Sequence, residues 1–301
     1  MYSYTLIQWL FLFYFYCFCG WCFESAYVSL KSRKPVNRGF MKGPFLPLYG
    51  SGAIMMLVVS KPFLGHWWAV YIAGCIGATL LEYVTGVVME ALFKVRYWDY
   101  SNQPFNFQGQ VCLSSTLAWG GLTLLMNYVI HKPIEKLVLG IAADILSVAT
   151  ILLTMYIACD FALSFKEALD LRDILVRMEK AKEELLRLQK RLDVMLAVAG
   201  EEWSEKKEAF SEKFKTEEIK AGIEKRLNVM KELLGRKPEE YSQDTRDELL
   251  DLHAQYKINV EKEEHRSMFY HRIRNNPSMS SRRYKEALEE LKKKAAQRRK
   301  K

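Results

Sequence analysis

The 301-residue chain is 50% apolar, carries a formal net charge of +9 and contains six cysteines. Its charges are unevenly spread: residues 1–170 hold 11 basic and 9 acidic side chains, residues 171–270 hold 21 and 23, and the last 31 residues hold 12 and 3. That distribution excludes one evenly mixed soluble globule, divides the chain into regions 1–165 and 166–301, and assigns the whole positive surplus to the C-terminal end.

The first 23 residues contain no charged side chain and are dense in Leu, Phe, Tyr and Trp. This run is longer than a secretory apolar core and lacks a basic start, so it is expected to remain in the bilayer as a first span. Further apolar stretches cover 44–60, 67–93, 111–130 and 137–163, each near the ~20 residues that cross a hydrocarbon core. The prediction is therefore an all-α, polytopic membrane helix bundle of about five spans. The second is the shortest and opens with the Gly- and Pro-rich NRGFMKGPFLPLYGSG, residues 37–52.

Short-loop basic charge sets the orientation. Lys31, Arg33, Lys34, Arg38 and Lys42 follow the first span, and Lys94 and Arg96 follow the third. Those connections are expected on the cytoplasmic side, with the N-terminus outside and the C-terminus inside. Trp67, Trp68 and Trp98 fit interfacial belts. Cys17, Cys19, Cys22, Cys75, Cys112 and Cys159 lie in or beside apolar segments and read as small buried apolar residues. The spacing CFCGWC has no fourth ligand nearby, so no metal and no cofactor is expected.

Carboxylates inside spans are costly and therefore informative. Glu24, Glu82 and Glu90 fall in the cytoplasmic half of their spans. Glu82 and Glu90 are eight residues apart, about 80° around a helix, so one polar cavity is expected to hold both. Asn37, Arg38 and Lys42 approach from the first cytoplasmic loop, and Asp99 and Asn106 from the second. These eight residues are the candidates for a ligand or ion site; the competing reading is an interfacial ion pair of Glu24 or Glu90 with Arg38 that only fixes helix packing. Asp144, in the outer half of the last span, reads as proton-linked or hydrogen-bonded to a neighbouring helix, and Asp160 as hydrated near the inner surface. Gly74, Gly77 and Ala78 suit close helix approach.

The stretch 37–52 is either an interfacial turn or a loop that dips inward before the second span becomes regular. A dipping loop requires protein groups to satisfy its backbone. Free amides beside Arg38 would suit an anionic group.

Beyond the bundle, Leu171, Ile174, Met178, Ala181, Leu185, Leu188, Leu192, Met195 and Ala199 step by three and four, predicting a cytoplasmic coiled-coil tail over 171–199. The seam serves a homo-oligomer, a helical partner or an intrachain hairpin. Phe210, Phe214, Ile223, Leu227, Met230 and Leu234 give a second apolar face, and Thr245 with Glu248 a capping box. The terminal RRYKEALEELKKKAAQRRKK predicts a basic helix or arm drawn to anionic lipid at ~1 kcal/mol per basic residue. Charge without aromatic platforms or a recognised motif does not specify a nucleic acid.

Three stretches, 37–52, LEYVTGVVMEALFKVRYWDYS at 81–101 and NFQGQVCLSSTLAWG at 106–120, preceded by GWCFES, resemble the integral-membrane family called putative ABC transporter type IV, or CmpB-type permease. The resemblance covers about residues 1–160. It implies a permease-like transport component and carries over no catalytic or substrate-binding residue. No G-x-x-x-x-G-K-[ST] phosphate loop occurs, so an ATPase would be a separate chain. Two other readings stand beside it: a membrane scaffold or signalling subunit that recruits a cytoplasmic partner through its tail, and an enzyme on a lipid head group using Glu82 or Glu90 beside Arg38. For the last, no nucleophile and base pair is legible and no catalytic residue is assigned.

Overall fold

The structure, a computed structural model, describes residues 4–198, 221–225, 228, 247, 250, 251, 254 and 270–297. The chain divides into two compact units: Met1–Arg172 with Phe269–Lys285 and Leu291–Lys301, and Asp173–Met268 with Glu286–Glu290.

In the first unit, α1 (Leu6–Ser32) begins at a capping box in which Thr5 accepts from the Gln8 amide and Gln8 accepts from the Thr5 amide. It ends at Arg33, whose positive φ of 52° lets its amide and that of Lys34 turn back to the last carbonyls. α3 (Trp67–Phe93) ends the same way at Lys94, with φ 60°. A hairpin of β1 (Asn106–Phe107) and β2 (Val111–Cys112) leads into α4 (Leu113–Leu125), which continues through a π-helical turn at Met126–Ile130 into α5 (His131–Leu139). α6 (Ala143–Val198) is 56 residues long.

Among the described residues, four helical stretches are long and apolar enough to cross a membrane: Leu6–Ser32, Trp67–Phe93, Leu113–Leu139 and Ala143–Leu188. The expected second span differs. Its helix, α2 (Pro47–Ser60), has 14 residues, or about 21 Å, short of the ~30 Å of a hydrocarbon core. The reason lies in the loop ahead of it. Pro47 fixes the first helical residue, and the Leu46 amide donates to the carbonyl of Cys17 at 3.0 Å. Cys17 lies 15 residues before the end of α1, about 22 Å down that helix. Residues 33–46 thus descend beside α1, and α2 covers only the remaining depth.

Two apolar clusters hold this arrangement. Met41 and Phe45 of the descending loop pack with Tyr14, Cys17 and Ile157. Deeper, Leu57 of α2 meets Leu12, Tyr16, Met126 and Leu146. Small residues permit the close approaches: a Cβ on Gly20 would run into the Tyr49 side chain, and one on Gly74 into Thr123. Gly77 faces Val59 of α2. The cysteines are mixed: Cys17 and Cys112 are buried, but Cys19, Cys22 and Cys159 are exposed on helix faces, which corrects the uniformly buried reading.

In the second unit, Ile174, Leu175, Leu185, Leu188 and Ile223 are buried and Lys182 pairs with Glu286. Leu175 and Lys182, each one residue after a seam position, are buried as well, a stripe wider than the two positions of a coiled-coil seam. The side chains of Leu192, Met195 and Ala199, the pair Thr245 and Glu248, and the face from Phe210 to Leu234 apart from Ile223 lie outside the described residues. Near the C-terminus are α7 (Tyr270–Asn275) and α8 (Lys285–Gln297). α8 buries Ala287, Leu288 and Leu291, so the basic end includes an amphipathic helix with a packed face.

Candidate functional site

The loop end of the first unit, where α1 and α3 finish and α4 begins, collects most of its buried charge. Arg38 is central. Its side chain is 11% exposed, and its Nε lies 3.5 Å from Glu24. Nη1 donates to Asn276 Oδ1 at 3.0 Å, and Nη2 to the Tyr97 carbonyl at 2.9 Å and to Ser278 Oγ at 2.8 Å. Glu24 also accepts from the Tyr49 hydroxyl at 2.7 Å. The expected Glu24–Arg38 pair is therefore present, within a wider set of neutral partners.

The rest of the first loop is held by α6. Asp160 accepts from the amides of Lys42 at 3.3 Å and Gly43 at 2.8 Å, and Ser164 also accepts from Lys42. Glu167 pairs with the Lys42 ammonium. Positions 160, 164 and 167 share one helix face, so α6 grips the descending loop, Asp160 and Ser164 by its backbone amides and Glu167 by the Lys42 side chain. Two expectations change. The amides at 42 and 43 are already engaged, and the Arg38 amide donates to Ser25 Oγ, so these amides do not form a free anion cradle. Asp160 is buried rather than hydrated, because it terminates those amides. Asn37 accepts from Trp21 Nε1 and donates to the Lys42 carbonyl, both at 2.6 Å; it braces the loop.

The second loop contains its own charge network. Arg96, with 2% of its side chain exposed, gives Nε and Nη2 to Glu90 Oε2, each at 2.7 Å, and Gln110 donates to the same oxygen at 2.6 Å. Arg96 Nη1 lies 3.5 Å from Asp99. Asp99 accepts from the amide and hydroxyl of Ser101 and from Ser280. Partial burial opposes its charge, but these hydrogen bonds and the Arg96 guanidinium outweigh that and hold its carboxyl below the usual range. Asn106 accepts from the Gly109 amide and donates to the carbonyls of Ser101 and Gln103, so it shapes the turn. Gly109 has φ 68°, and a Cβ there would meet Ser101, Arg96 and Asp99.

Glu82 stands apart. It is 5% exposed and sits 11 residues below the end of α3, or about 16 Å. Trp119 Nε1 donates to one oxygen at 2.9 Å and the Tyr100 hydroxyl to the other at 3.1 Å. Glu82 and Glu90 thus have separate partners rather than one shared cavity: Glu90 belongs to Arg96, and Glu82 to an indole and a phenol. Asp144 is exposed in the first turn of α6, where its charge suits the helix N-terminus.

Two features escaped the sequence reading. The first is residues 272–282, which return to this end of the unit. Arg272 donates to Tyr97 Oη at 2.7 Å and to the Ser164 carbonyl, and lies over the Phe40 ring at 4.9 Å. Arg96 and Ser280 form an antiparallel bridge through amide–carbonyl bonds of 2.8 and 3.0 Å. Burial pushes the Tyr97 phenol above its ordinary range despite Arg272. The second is fully buried His131 at the opposite end, hydrogen-bonded to Tyr4 Oη at 2.9 Å and Tyr16 Oη at 2.7 Å. Neither carries periodicity that a sequence pattern detects.

As chemistry, this is a set of paired charges and oriented donors without a nucleophile joined to a base. It suits binding and coupling. The family model described as Putative ABC-transporter type IV matches residues 11–165, just over half of the chain. The chain belongs to this family. The matched region runs from within α1 to the N-terminal part of α6 and contains Glu24, Arg38, Glu82, Glu90 and Asp160. The segment 272–282 lies outside it. No curated protein and no solved structure shows significant similarity to the chain.

Proposed function

We propose that this type IV family chain is the permease-like subunit of a transporter whose ATPase is a separate polypeptide. Its loop end faces the cytoplasm, as the basic residues of the first and second loops favour. The observation that carries the reading is Glu82: a carboxylate deep in a spanning helix with a dedicated indole and phenol donor, beneath a charged mouth at Arg38 and Glu24. Intramembrane ionisable groups are costly, face the bundle interior or a cavity, and are functional-site candidates by default. Glu24, Arg38 and Glu82 are the groups proposed to meet the solute or to sense the coupled ATPase. Asn37, Lys42, Glu90, Asp99 and Asn106 keep the two loops in position.

The test is affinity purification from native membranes, followed by transport in reconstituted vesicles. An ATPase subunit should co-purify, and Glu82→Gln and Arg38→Ala should each lower ATP-dependent flux at least about tenfold, the scale of losing one charge-assisted hydrogen bond, with unchanged insertion. Recovery of no ATPase, together with normal flux in both variants, sinks the permease reading.

A second reading, a membrane scaffold or signalling subunit, draws on α6, a single helix that runs from the membrane region into the tail. Deleting residues 171–301 should then abolish partner recruitment, while Glu82→Gln leaves it intact. Anionic lipid at the basic C-terminal arm and self-association through 171–199 belong to either reading.

A further inference from the structure

The guanidinium proposed to face solute is covered, in this structure, by the chain's own distant segment. Asn276 and Ser278 take two of the hydrogen bonds of Arg38, from positions 238 and 240 residues away. The Asn276 side chain also donates to the Gly39 carbonyl at 3.2 Å. Next to them, Ser278 and Ser281 donate to the carbonyls of Tyr97 and Lys94, Arg282 donates to the Gln108 carbonyl, and Ser280 donates to Asp99. One segment therefore touches both loops.

The character of these contacts matters. Asn276 and Ser278 offer Arg38 neutral oxygens, which hold a guanidinium less strongly than a carboxylate or phosphate does. The backbone pairing is a single bridge of two hydrogen bonds, far less than a ladder that would be stable by itself. Ile273 and Met279 supply buried apolar anchors. Arg272 supplies a charged one, through Tyr97 Oη, the Ser164 carbonyl and Glu167 at 3.9 Å, so the stretch able to release is the one from Asn276 onward. Ser278 itself is exposed. Residues 199–271 connect α6 to this segment, so whatever engages the tail acts on a stretch of chain joined directly to it.

We propose that residues 276–282, hinged at the anchored Arg272, are an intramolecular latch: docked, they occupy two of the Arg38 hydrogen-bonding positions with neutral acceptors, beside Glu24 and the Tyr97 carbonyl, and released, they free those two positions for an anionic group. The anionic ligand rests on the reading of Arg38 as a binding group, but opening of the latch is measured without any solute. Weak neutral contacts on a charged donor give a state that a better acceptor or a pull on the tail displaces. A permanent clamp would place a carboxylate there, as Glu90 is placed on Arg96.

The experiment uses the full chain in lipid nanodiscs and reads modification of Arg38 by phenylglyoxal through peptide mass mapping, with exposed Arg33 as the internal control. In the parent, Arg38 should react slowly and Arg33 fast. Asn276→Ala/Ser278→Ala should raise the Arg38 rate at least about tenfold, the scale of losing hydrogen bonds to a charged group. Ser278→Ala alone, at an exposed position, should give a smaller rise and serves if the double variant does not fold. In a background without the native cysteines, Asp99→Cys/Ser280→Cys, whose parent side-chain oxygens lie 2.8 Å apart, should abolish the residual parent reaction when oxidised and restore it when reduced. Equal Arg38 rates in parent and variants overturn the latch, as does full reactivity in the parent. A residual rate unchanged by the disulfide shows a segment that never opens. A working latch combined with normal flux in Arg38→Ala would leave the device standing and remove only the transport role.

Discussion

The two loops at the charged end of the bundle solve the same problem in opposite ways. The second loop answers its charges locally: Arg96 is met by Glu90 six residues before it and Asp99 three after, and Gln110 completes the set. The first loop relies on groups far along the chain, with Asp160, Ser164 and Glu167 on α6 and Asn276 and Ser278 beyond the tail. A local network forms whenever its own hairpin forms. A long-range network exists only while distant elements are docked, so its members are free to change partners. This contrast is why the proposed binding role is given to Arg38 rather than to the more deeply buried Arg96.

The largest expected effect breaks the local network. Glu90→Ala leaves the Arg96 guanidinium, 2% exposed, with Asp99 alone at 3.5 Å. Removing one partner of a buried pair costs about 3–5 kcal/mol. Thermal unfolding in detergent should show it, and replacing both residues by Met and Leu of similar volume should recover most of the loss. A cost below about 1 kcal/mol would mean that the pair is solvated, and the distinction between the loops would fail with it.

A smaller effect sharpens the comparison. Asp160→Ala removes the acceptor of the Gly43 amide and one of the two acceptors of the Lys42 amide, at a cost of roughly 1–3 kcal/mol for a donor left unmet. Hydrogen exchange should rise over residues 42–46 while residues 99–110 keep their protection. Equal loosening of both loops would show them to be one unit, contrary to the separation drawn from their partners.

How much of this the sequence displayed follows from the same contrast. Long apolar runs marked α1 and α3, because a bilayer-length apolar stretch has few other uses. Glu24, Arg38, Glu82 and Glu90 stood out because charge beside lipid is costly. The short α2 was hidden: hydropathy over 44–60 reports apolar content and not where backbone becomes helical, which Pro47 and the Leu46–Cys17 bond decide. The separation of Glu82 from Glu90 depends on Trp119 and Gln110, supplied by residues after the second loop. Asp160 as a terminator of loop amides joins positions 117 and 118 residues apart, and residues 272–282 join positions farther still. Polar pairs at such separations leave no period to read.

The smallest effect concerns Asp99, which lies where the loops come closest in kind: its partners are local in Ser101 and Arg96, and distant in Ser280. Its folded-state pKa is lowered, so its contribution to stability is fully present above the unfolded value, near 3.9. As pH falls through the lower folded value, the carboxylate is protonated and that contribution disappears. Between pH 7 and 5 the parent should therefore show no change from this group, and the stability gap between the parent and Asp99→Asn should close only below about pH 4. The Asp99 side chain is still partly open to solvent, so screening keeps the gap small. Should the gap widen on acidification, the hydrogen bonds would be favouring the protonated acid, and Ser280 would be held by a different charge state from the one assigned to it. Adding Ser280→Ala separates the two contributions: if the local partners dominate, most of the pH dependence survives the loss of Ser280, and the second loop keeps its charge network whether or not the distant segment is docked.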